Sequence, residues 1–173
     1  MHCLRNFGIT LALLLAGAAH ATDVSMAGGS ISFSAPDSWP VIIQTEGDPE
    51  VRVFQVPDPS PTGSNALARI TVTAKQVADI DSFQLYVSAA AAKAAALTGY
   101  HPGNSLRNSK GMDSAVYSAQ ENGVLFVYSE SYWFKNGRAI QLRCVRPATS
   151  QAGASWQAQF DQGCLAIATK LSA

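Results

Sequence analysis

The sequence predicts one α+β domain, built as an α/β/α sandwich on a mainly antiparallel sheet. Two Asn-Gly pairs separate alternating segments in the C-terminal half, which is typical of a meander of three antiparallel strands. Two segments with apolar residues at helical spacing supply one covering helix for each face of such a sheet. With 47% hydrophobic and 14% charged residues, a chain of 173 residues can bury a single core.

The first 21 residues are typical of a cleavable secretory signal peptide. Arg5 precedes an apolar run over residues 7–18, and residues 19–21, Ala-His-Ala, place small side chains at the cleavage positions. The run is shorter than the about 20 apolar residues of a spanning helix, which disfavours the alternative of an uncleaved membrane anchor. We therefore expect a single mature domain over residues 22–173, periplasmic or secreted, without stable membrane insertion.

The charge balance excludes one class of partner. The chain has 12 basic and 12 acidic residues, whereas nucleic-acid-binding proteins normally carry a basic excess. We expect no nucleic-acid partner, and near-neutrality leaves a protein partner open.

Two cysteines remain once Cys3 is removed with the leader. Thiols that meet in an oxidising compartment persist as disulfides, so Cys144 and Cys164 are predicted to be joined. A bridge of this loop length stabilises a fold by roughly 3 kcal/mol in the chain-entropy model. A redox pair is the alternative, but the C-x-x-C spacing that would support it is absent.

Three strands are predicted in the N-terminal half. Residues 30–35 alternate polar and apolar side chains, residues 51–56 are rich in valine, and residues 68–74 alternate again. Between the last two, residues 57–65 contain three prolines and predict an exposed loop. This loop is either a functional surface or a mobile connection.

A helix follows the third strand. Asp81 is the predicted N-cap, Gln84 completes a capping box, and Gly99 ends the helix. The alanine run over residues 89–96 has high helix propensity and lets the helix lie close to a sheet. The apolar stripe consists of Phe83, Tyr86, Val87, Ala90, Ala94 and Leu97.

The meander follows, and two-residue loops at Asn122-Gly123 and Asn136-Gly137 set its register. Glu121 would then face Val124, Lys135 would face Arg138, and Glu130 would face Arg143. One face collects Val116, Leu125, Val127, Trp133, Ile140, Leu142 and Cys144, and the other collects Tyr117, Phe126, Tyr128, Glu130, Tyr132, Phe134, Arg143 and Val145.

A final helix is predicted over residues 155–171. Its apolar stripe contains Cys164, and Cys144 lies on the first face of the meander. A disulfide between them would therefore clamp this helix onto that face.

At this level the chain resembles the PsbP-like family. The resemblance rests on residues 31–36, Ile-Ser-Phe-Ser-Ala-Pro, with Trp39 near the mature start, on the helix after Asp81, on the two Asn-Gly hairpins and on the amphipathic final helix. It implies an α/β/α sandwich over residues 22–173 and a binding protein more than a catalyst. It transfers no functional residue, and the Cys144–Cys164 pair departs from the family pattern.

The residues offer little catalytic chemistry. His101, in a predicted turn, is the only histidine outside the leader, and no zinc-protease, phosphate-loop or serine-elbow motif is present. Glu46, Asp48 and Glu50 lack the ordered spacing of a calcium loop and are interpreted as a solvated turn. We expect a protein that is not an enzyme and that needs no cofactor or metal.

Aromatic side chains on the second face favour a binding role. Tyr128, Tyr132, Phe134 and Arg143 are of the types that dominate protein interfaces, and the end near Tyr132 and Phe134 is expected to stay exposed. The alternative is that the first helix covers this face.

The leading hypothesis is a non-catalytic protein-binding module, such as an inhibitor or immunity protein against a toxin or envelope hydrolase. The second is a carrier of a small apolar or lipidic ligand held between sheet and helix, with Tyr128 or Arg143 orienting a polar head.

Overall fold

Seven antiparallel strands form the central sheet of the computed structural model, which describes residues 20–108 and 112–173. The strand order is β3-β4-β5-β9-β8-β7-β6, and β1 and β2 form a separate hairpin. One helix covers each face of the sheet, so the predicted α/β/α sandwich is confirmed. The elements are β1 Ala21–Met26, β2 Ile31–Pro36, β3 Val41–Thr45, β4 Glu50–Gln55, β5 Arg69–Gln76, α1 Ile80–Ala95, β6 His101–Asn108, β7 Met112–Glu121, β8 Val124–Lys135, β9 Arg138–Pro147 and α2 Gly153–Ser172.

The predicted strands in the N-terminal half are β2, β4 and β5. Three further strands, β1, β3 and β6, were not predicted. Strand β1 begins at Ala21, beside the predicted cleavage position, and the rest of the predicted leader lies outside the described residues. His101, expected in a turn, begins the edge strand β6, whose register against β7 shifts between Pro102 and Ser105.

The meander has the predicted register. Glu121 pairs with Val124, Lys135 with Arg138 and Glu130 with Arg143. Asn122 and Asn136 both adopt positive φ, as the first central residue of a type I′ turn requires.

Helix α1 begins two residues earlier than predicted. Asp79 is the N-cap, and its carboxylate accepts a hydrogen bond of 2.8 Å from the backbone N–H of Ser82. Asp81 lies in the first turn instead, where its charge is favourable next to the helix N-terminus. The predicted N-cap was therefore wrong, because two acidic residues near the start compete for that position.

Helix α2 and the β1–β2 hairpin cover one face of the sheet. Trp156, Phe160 and Leu171 from α2 meet Phe33 of the hairpin in a single core. Cys144 and Cys164 form a disulfide with 6.3 Å between their Cα atoms, as predicted. The bridge joins α2 to the central strand β9, so it ties the last element of the chain to the middle of the sheet.

Trp39 packs directly on α2 at Gly163. A Cβ atom added to Gly163 would lie 2.2 Å from Cη2 of the indole, far inside contact distance. Trp39 follows β2, so this contact connects the corner after the hairpin to the helix.

We expect Gly163→Ala to lower the free energy of unfolding by about 1–2 kcal/mol. Alanine improves helix propensity by about 1 kcal/mol, but overpacking at a contact of 2.2 Å falls at about 2–3 kcal/mol, in the upper part of its usual range, and outweighs that gain. Urea unfolding measures the change. Gln162→Ala, at the exposed neighbouring position, is the control, and an unchanged or raised stability of Gly163→Ala would contradict the close contact.

The proline-rich segment 57–65 is ordered against the start of α2. Ser150 Oγ donates a 2.6 Å hydrogen bond to Asp58, and the indole N–H of Trp156 donates one of 2.9 Å to the Pro57 carbonyl. Hydrogen bonds from Ser150 and Ser60 outweigh burial and lower the pKa of Asp58. The segment is therefore a packed connection.

Candidate functional site

A buried carboxylate lies at the middle of the second sheet face, under α1. Glu130 of β8 is 2% exposed, and its alternating position in the strand directs it away from α2. Arg143 Nε donates a 2.6 Å hydrogen bond to Oε1, and the Tyr117 hydroxyl donates one of 2.7 Å to the same oxygen. Oε2 accepts from the Tyr132 hydroxyl and, at 3.2 Å, from the Gln141 amide.

The hydrogen-bond network continues from Glu130 into the helix. Tyr86 of α1 donates to Gln141 Oε1 at 2.8 Å, and Gln141 also contacts the Tyr132 hydroxyl. Burial raises the pKa of Tyr117 and Tyr132, and Glu130 raises it further, so both phenols keep the protons they donate. Burial also raises the pKa of Tyr86 to about 12.

Arg143 balances the charge of Glu130. Burial alone would lower the pKa of Arg143, but the adjacent carboxylate outweighs burial and raises this pKa. The Arg143 side chain remains 37% exposed, and it contacts Glu130 from the neighbouring strand β9.

A second cluster occupies the end of the same face near the Asn122-Gly123 turn. The Tyr128 hydroxyl donates to Glu121, which also forms an ion pair of 2.5 Å with Arg69. Burial would raise the pKa of Glu121, but hydrogen bonds from Arg69 and Tyr128 outweigh it and lower this pKa. Tyr128 also stacks on Tyr117 with ring centroids 4.7 Å apart, so the aromatic rings of this face support one another.

A cavity of about 420 Å³ lies between α1 and strands β6, β7 and β8. Ala91 and Ala94 form its helix side, and Tyr117, Glu130 and Asp113 face it from the sheet. Asp113 is 4% exposed, and its Oδ2 accepts no hydrogen bond from the residues that the structure describes. The remaining lining residues are Val87, Tyr100, Ser105, Ser114, Ala115 and Tyr132.

The predicted partner-binding residues are distributed differently from the expectation. Tyr128 and Tyr132 are both buried, at 3% exposure, so the expectation that the Tyr132 end of this face is exposed was wrong. Phe134 is half-buried and packs on Phe83 of α1 with ring centroids 5.9 Å apart. The structure agrees with the alternative, in which the first helix covers this face, and the Arg143 side chain is 37% exposed.

The cavity also bears on the hypothesis of a small-ligand carrier. It lies between the sheet and the first helix, where that hypothesis placed a ligand. Tyr128 and Arg143, expected to orient a head group, do not line it, and two carboxylates do. Buried carboxylates are unfavourable next to an acyl chain, which disfavours an apolar ligand.

An exposed apolar segment that the sequence did not reveal lies at one edge of the sheet. Val41, Ile42 and Ile43 of β3 are 47%, 41% and 52% exposed, and among the described strands β3 has β4 as its single neighbour. The register shifts between Val41 and Ile43, which places a bulge at Ile42. The only sign of this segment in the sequence was its run of three branched apolar residues, which lacks the alternation that marks a half-buried strand.

The acidic turn makes internal contacts. Glu46 and Glu50 both pair with Arg52, at 2.8 and 2.9 Å, and Asp48 accepts a 2.7 Å hydrogen bond from the backbone of Gln76. Within residues 20–108 and 112–173, no three His, Cys, Asp or Glu side chains are placed to share a metal ion.

Comparisons with known proteins identify the architecture. No family model matches the chain, and no curated protein matches it. The solved structure of PsbP (CyanoP) from Synechocystis sp. PCC 6803 is 12% identical over 92% of this chain and 95% of that chain, with a TM-score of 0.55. LpqN of Mycobacterium tuberculosis, described as involved in cell envelope biogenesis, is 18% identical over 86% of this chain and 87% of that chain, with a TM-score of 0.53. The chain therefore has a PsbP-like fold.

Proposed function

We propose that this chain is a non-catalytic extracytoplasmic protein that binds another protein through the exposed edge strand β3. The observation that carries the proposal is the run Val41-Ile42-Ile43, in which all three side chains are exposed at the edge of the sheet. Most proteins protect such an edge with charges or proline, because it is otherwise prone to pair with another chain.

The part of β3 that suits strand addition is residues 43–45, which pair with β4 in continuous register beyond the bulge at Ile42. An edge strand offers backbone N–H and C=O groups that have no neighbour on one side, and a partner strand pairs with them. The side chains of β3 add apolar contacts on both sides of the backbone, and burial of apolar area is worth about 25 cal/mol per Å² before the costs of association. The expected partner is a protein with its own exposed strand or extended segment.

Three observations support a location outside the cytoplasm. The leader pattern of residues 1–21 is that of an exported protein, and the Cys144–Cys164 disulfide is of a kind that persists in oxidising compartments. The fold neighbour LpqN is described as involved in cell envelope biogenesis, which fits the same setting. No helix in the described part of the chain is long and apolar enough to span a membrane.

The more specific form of the proposal is an inhibitor or immunity protein that blocks a toxin or an envelope hydrolase. Such a protein needs a stable surface and no reactive groups of its own. The disulfide that ties α2 to β9 and the packed segment 57–65 provide the stable support.

We expect Ile43→Lys to abolish partner binding and to leave the fold intact. Ile43 is 52% exposed, so lysine costs little in the free protein, whereas at a paired edge it would place a charge in the interface. Leu85→Lys is the matched control, because Leu85 is a single apolar residue of α1 that is 72% exposed. Each tagged variant is purified from the periplasm of its own host, and co-purifying proteins are quantified.

The expected result is a partner recovered at equal molar amount with the unchanged protein and with Leu85→Lys, and lost with Ile43→Lys. Recovery of the same partner with Ile43→Lys, or no stoichiometric partner with any variant, would contradict the proposal. Sedimentation of the purified protein tests whether a second copy occupies the edge, and a dimer dissociated by Ile43→Lys would exclude a different protein as the occupant.

A further inference from the structure

We propose that the cavity between α1 and strands β6, β7 and β8 binds a small organic cation that carries a primary ammonium group. The site is separate from the β3 edge, so this proposal does not depend on the proposed protein partner. The argument rests on one unpartnered carboxylate oxygen, on the charge balance around it and on the aromatic wall of the cavity.

Asp113 supplies the acceptor. Its side chain lines the cavity and is 4% exposed, and Oδ2 accepts no hydrogen bond from the residues that the structure describes. An ionised oxygen that has lost its water and found no donor is strongly unfavourable, and such groups are normally paired. A ligand with an N–H donor would complete the hydrogen bonding of this oxygen.

The charge balance shows why the ligand should be a cation. Glu130, the other carboxylate on the cavity, already has Arg143 at 2.6 Å and hydrogen bonds from Tyr117, Tyr132 and Gln141. The ion pair of Glu130 with Arg143 leaves the charge of Asp113 unbalanced among the side chains described on this cavity. One positive charge on the ligand would restore neutrality.

The walls favour an organic ammonium ion over a metal ion. Tyr100 and Tyr117, with ring centroids 5.4 Å apart, and Tyr132 line the cavity, and tyrosine rings attract cations on their faces. A metal ion would require several oxygen ligands, whereas no cluster of three ligating residues occurs in residues 20–108 and 112–173. A volume of about 420 Å³ matches a small molecule and far exceeds a single ion.

The helix side of the cavity provides access. Ala91 of α1 and Ser105 of β6 line the cavity and are both exposed, so the cavity reaches solvent between these two elements. A larger side chain at position 91 would obstruct this opening.

Calorimetric titration of the disulfide-bonded protein with n-butylamine, a monocation at neutral pH, tests the site. We expect saturable one-to-one binding, and binding of tetramethylammonium at least tenfold weaker, because that monocation has no N–H to donate to Asp113. Asp113→Asn should weaken butylamine binding at least tenfold. The same substitution should raise the melting temperature of the free protein, because a neutral amide costs less to bury than an unpaired charge.

Two matched variants separate occlusion of the cavity from general effects on the helix. Ala91→Leu should abolish binding, whereas Ala92→Leu, exposed on the same helix and absent from the cavity wall, should bind as the unchanged protein does. Both variants replace an exposed alanine with a good helix former, so both are expected to fold.

An Arg107→Gln variant provides the sharpest outcome against the proposal, because residue 107 pairs with Asp113 across β6 and β7. If butylamine binds only to Arg107→Gln and not to the unchanged protein, the proposal is wrong for the natural chain. It is also wrong if no butylamine binds, or if Asp113→Asn leaves binding unaltered.

Discussion

Replacing Glu130 with alanine is expected to lower the free energy of unfolding by about 3 kcal/mol, because removing one member of a buried ion pair leaves the other partner uncompensated. The carboxylate is 2% exposed and accepts hydrogen bonds from Arg143, Tyr117, Tyr132 and Gln141. The two phenols would lose the charged oxygens to which they donate. A loss of about 3 kcal/mol corresponds to roughly 6–12 °C in melting temperature for a domain of this size.

Glu46→Ala is the control for this experiment. Glu46 also pairs with an arginine, at 2.8 Å, but its side chain is 68% exposed, so the expected loss is below about 1 kcal/mol. Urea unfolding followed by circular dichroism measures both variants. Equal losses for Glu130→Ala and Glu46→Ala would show that the buried network contributes no more than a surface ion pair.

Glu130 also shows how far the sequence predicts the site. Strand alternation and the Asn-Gly turns are sufficient to place it opposite Arg143, and β8 and β9 pair in that register. The burial of the pair depends on where α1 crosses the sheet. The position of α1 on the sheet is decided by the packing of Phe83, Val87 and Ala90 against it. The alternation of side chains along a strand gives no information about that position.

The strands that the sequence did not reveal share one physical property. Strands β3 and β6 are the two edges of the sheet, and β1 belongs to a separate hairpin. An edge strand has one neighbour and less burial, so its side chains need not alternate. The β6 segment, His-Pro-Gly-Asn-Ser-Leu-Arg-Asn, contains residues that favour turns, and it becomes a strand only by pairing with β7.

The cavity is the least predictable feature. Ala91, Tyr100, Asp113 and Glu130 come from four separate parts of the sequence, and no pair of them has a spacing that indicates a shared site. The carrier hypothesis placed a ligand between sheet and helix, and the structure contains a cavity there. The chemical character of the cavity depends on Asp113, whose orientation follows from the register of β7 against β8.

The disulfide is expected to contribute about 3 kcal/mol to the stability of the folded protein. Cys144 and Cys164 are 20 residues apart in sequence, and closing a loop of that length restricts the unfolded chain by about this amount. The structure strengthens the expectation, because the bridge connects α2 to the buried strand β9. Without it, α2 would still be held to the sheet by its apolar stripe of Trp156, Phe160, Ile167 and Leu171 and by the ion pair of Asp161 with Arg146 of β9, but by no covalent link.

Two measurements separate the stability that comes from the cross-link from the stability that comes from the volume of the two cysteine side chains. Urea unfolding of the unchanged protein with and without reductant isolates the cross-link, since the reduced thiols occupy nearly the same volume. The double variant Cys144→Ala and Cys164→Ala adds a cavity beside Leu142, so its stability should fall further than that of the reduced protein. Thiol titration of protein that starts at Thr22 completes the test, because two reactive thiols in native preparations would show that the bridge does not form in the cell.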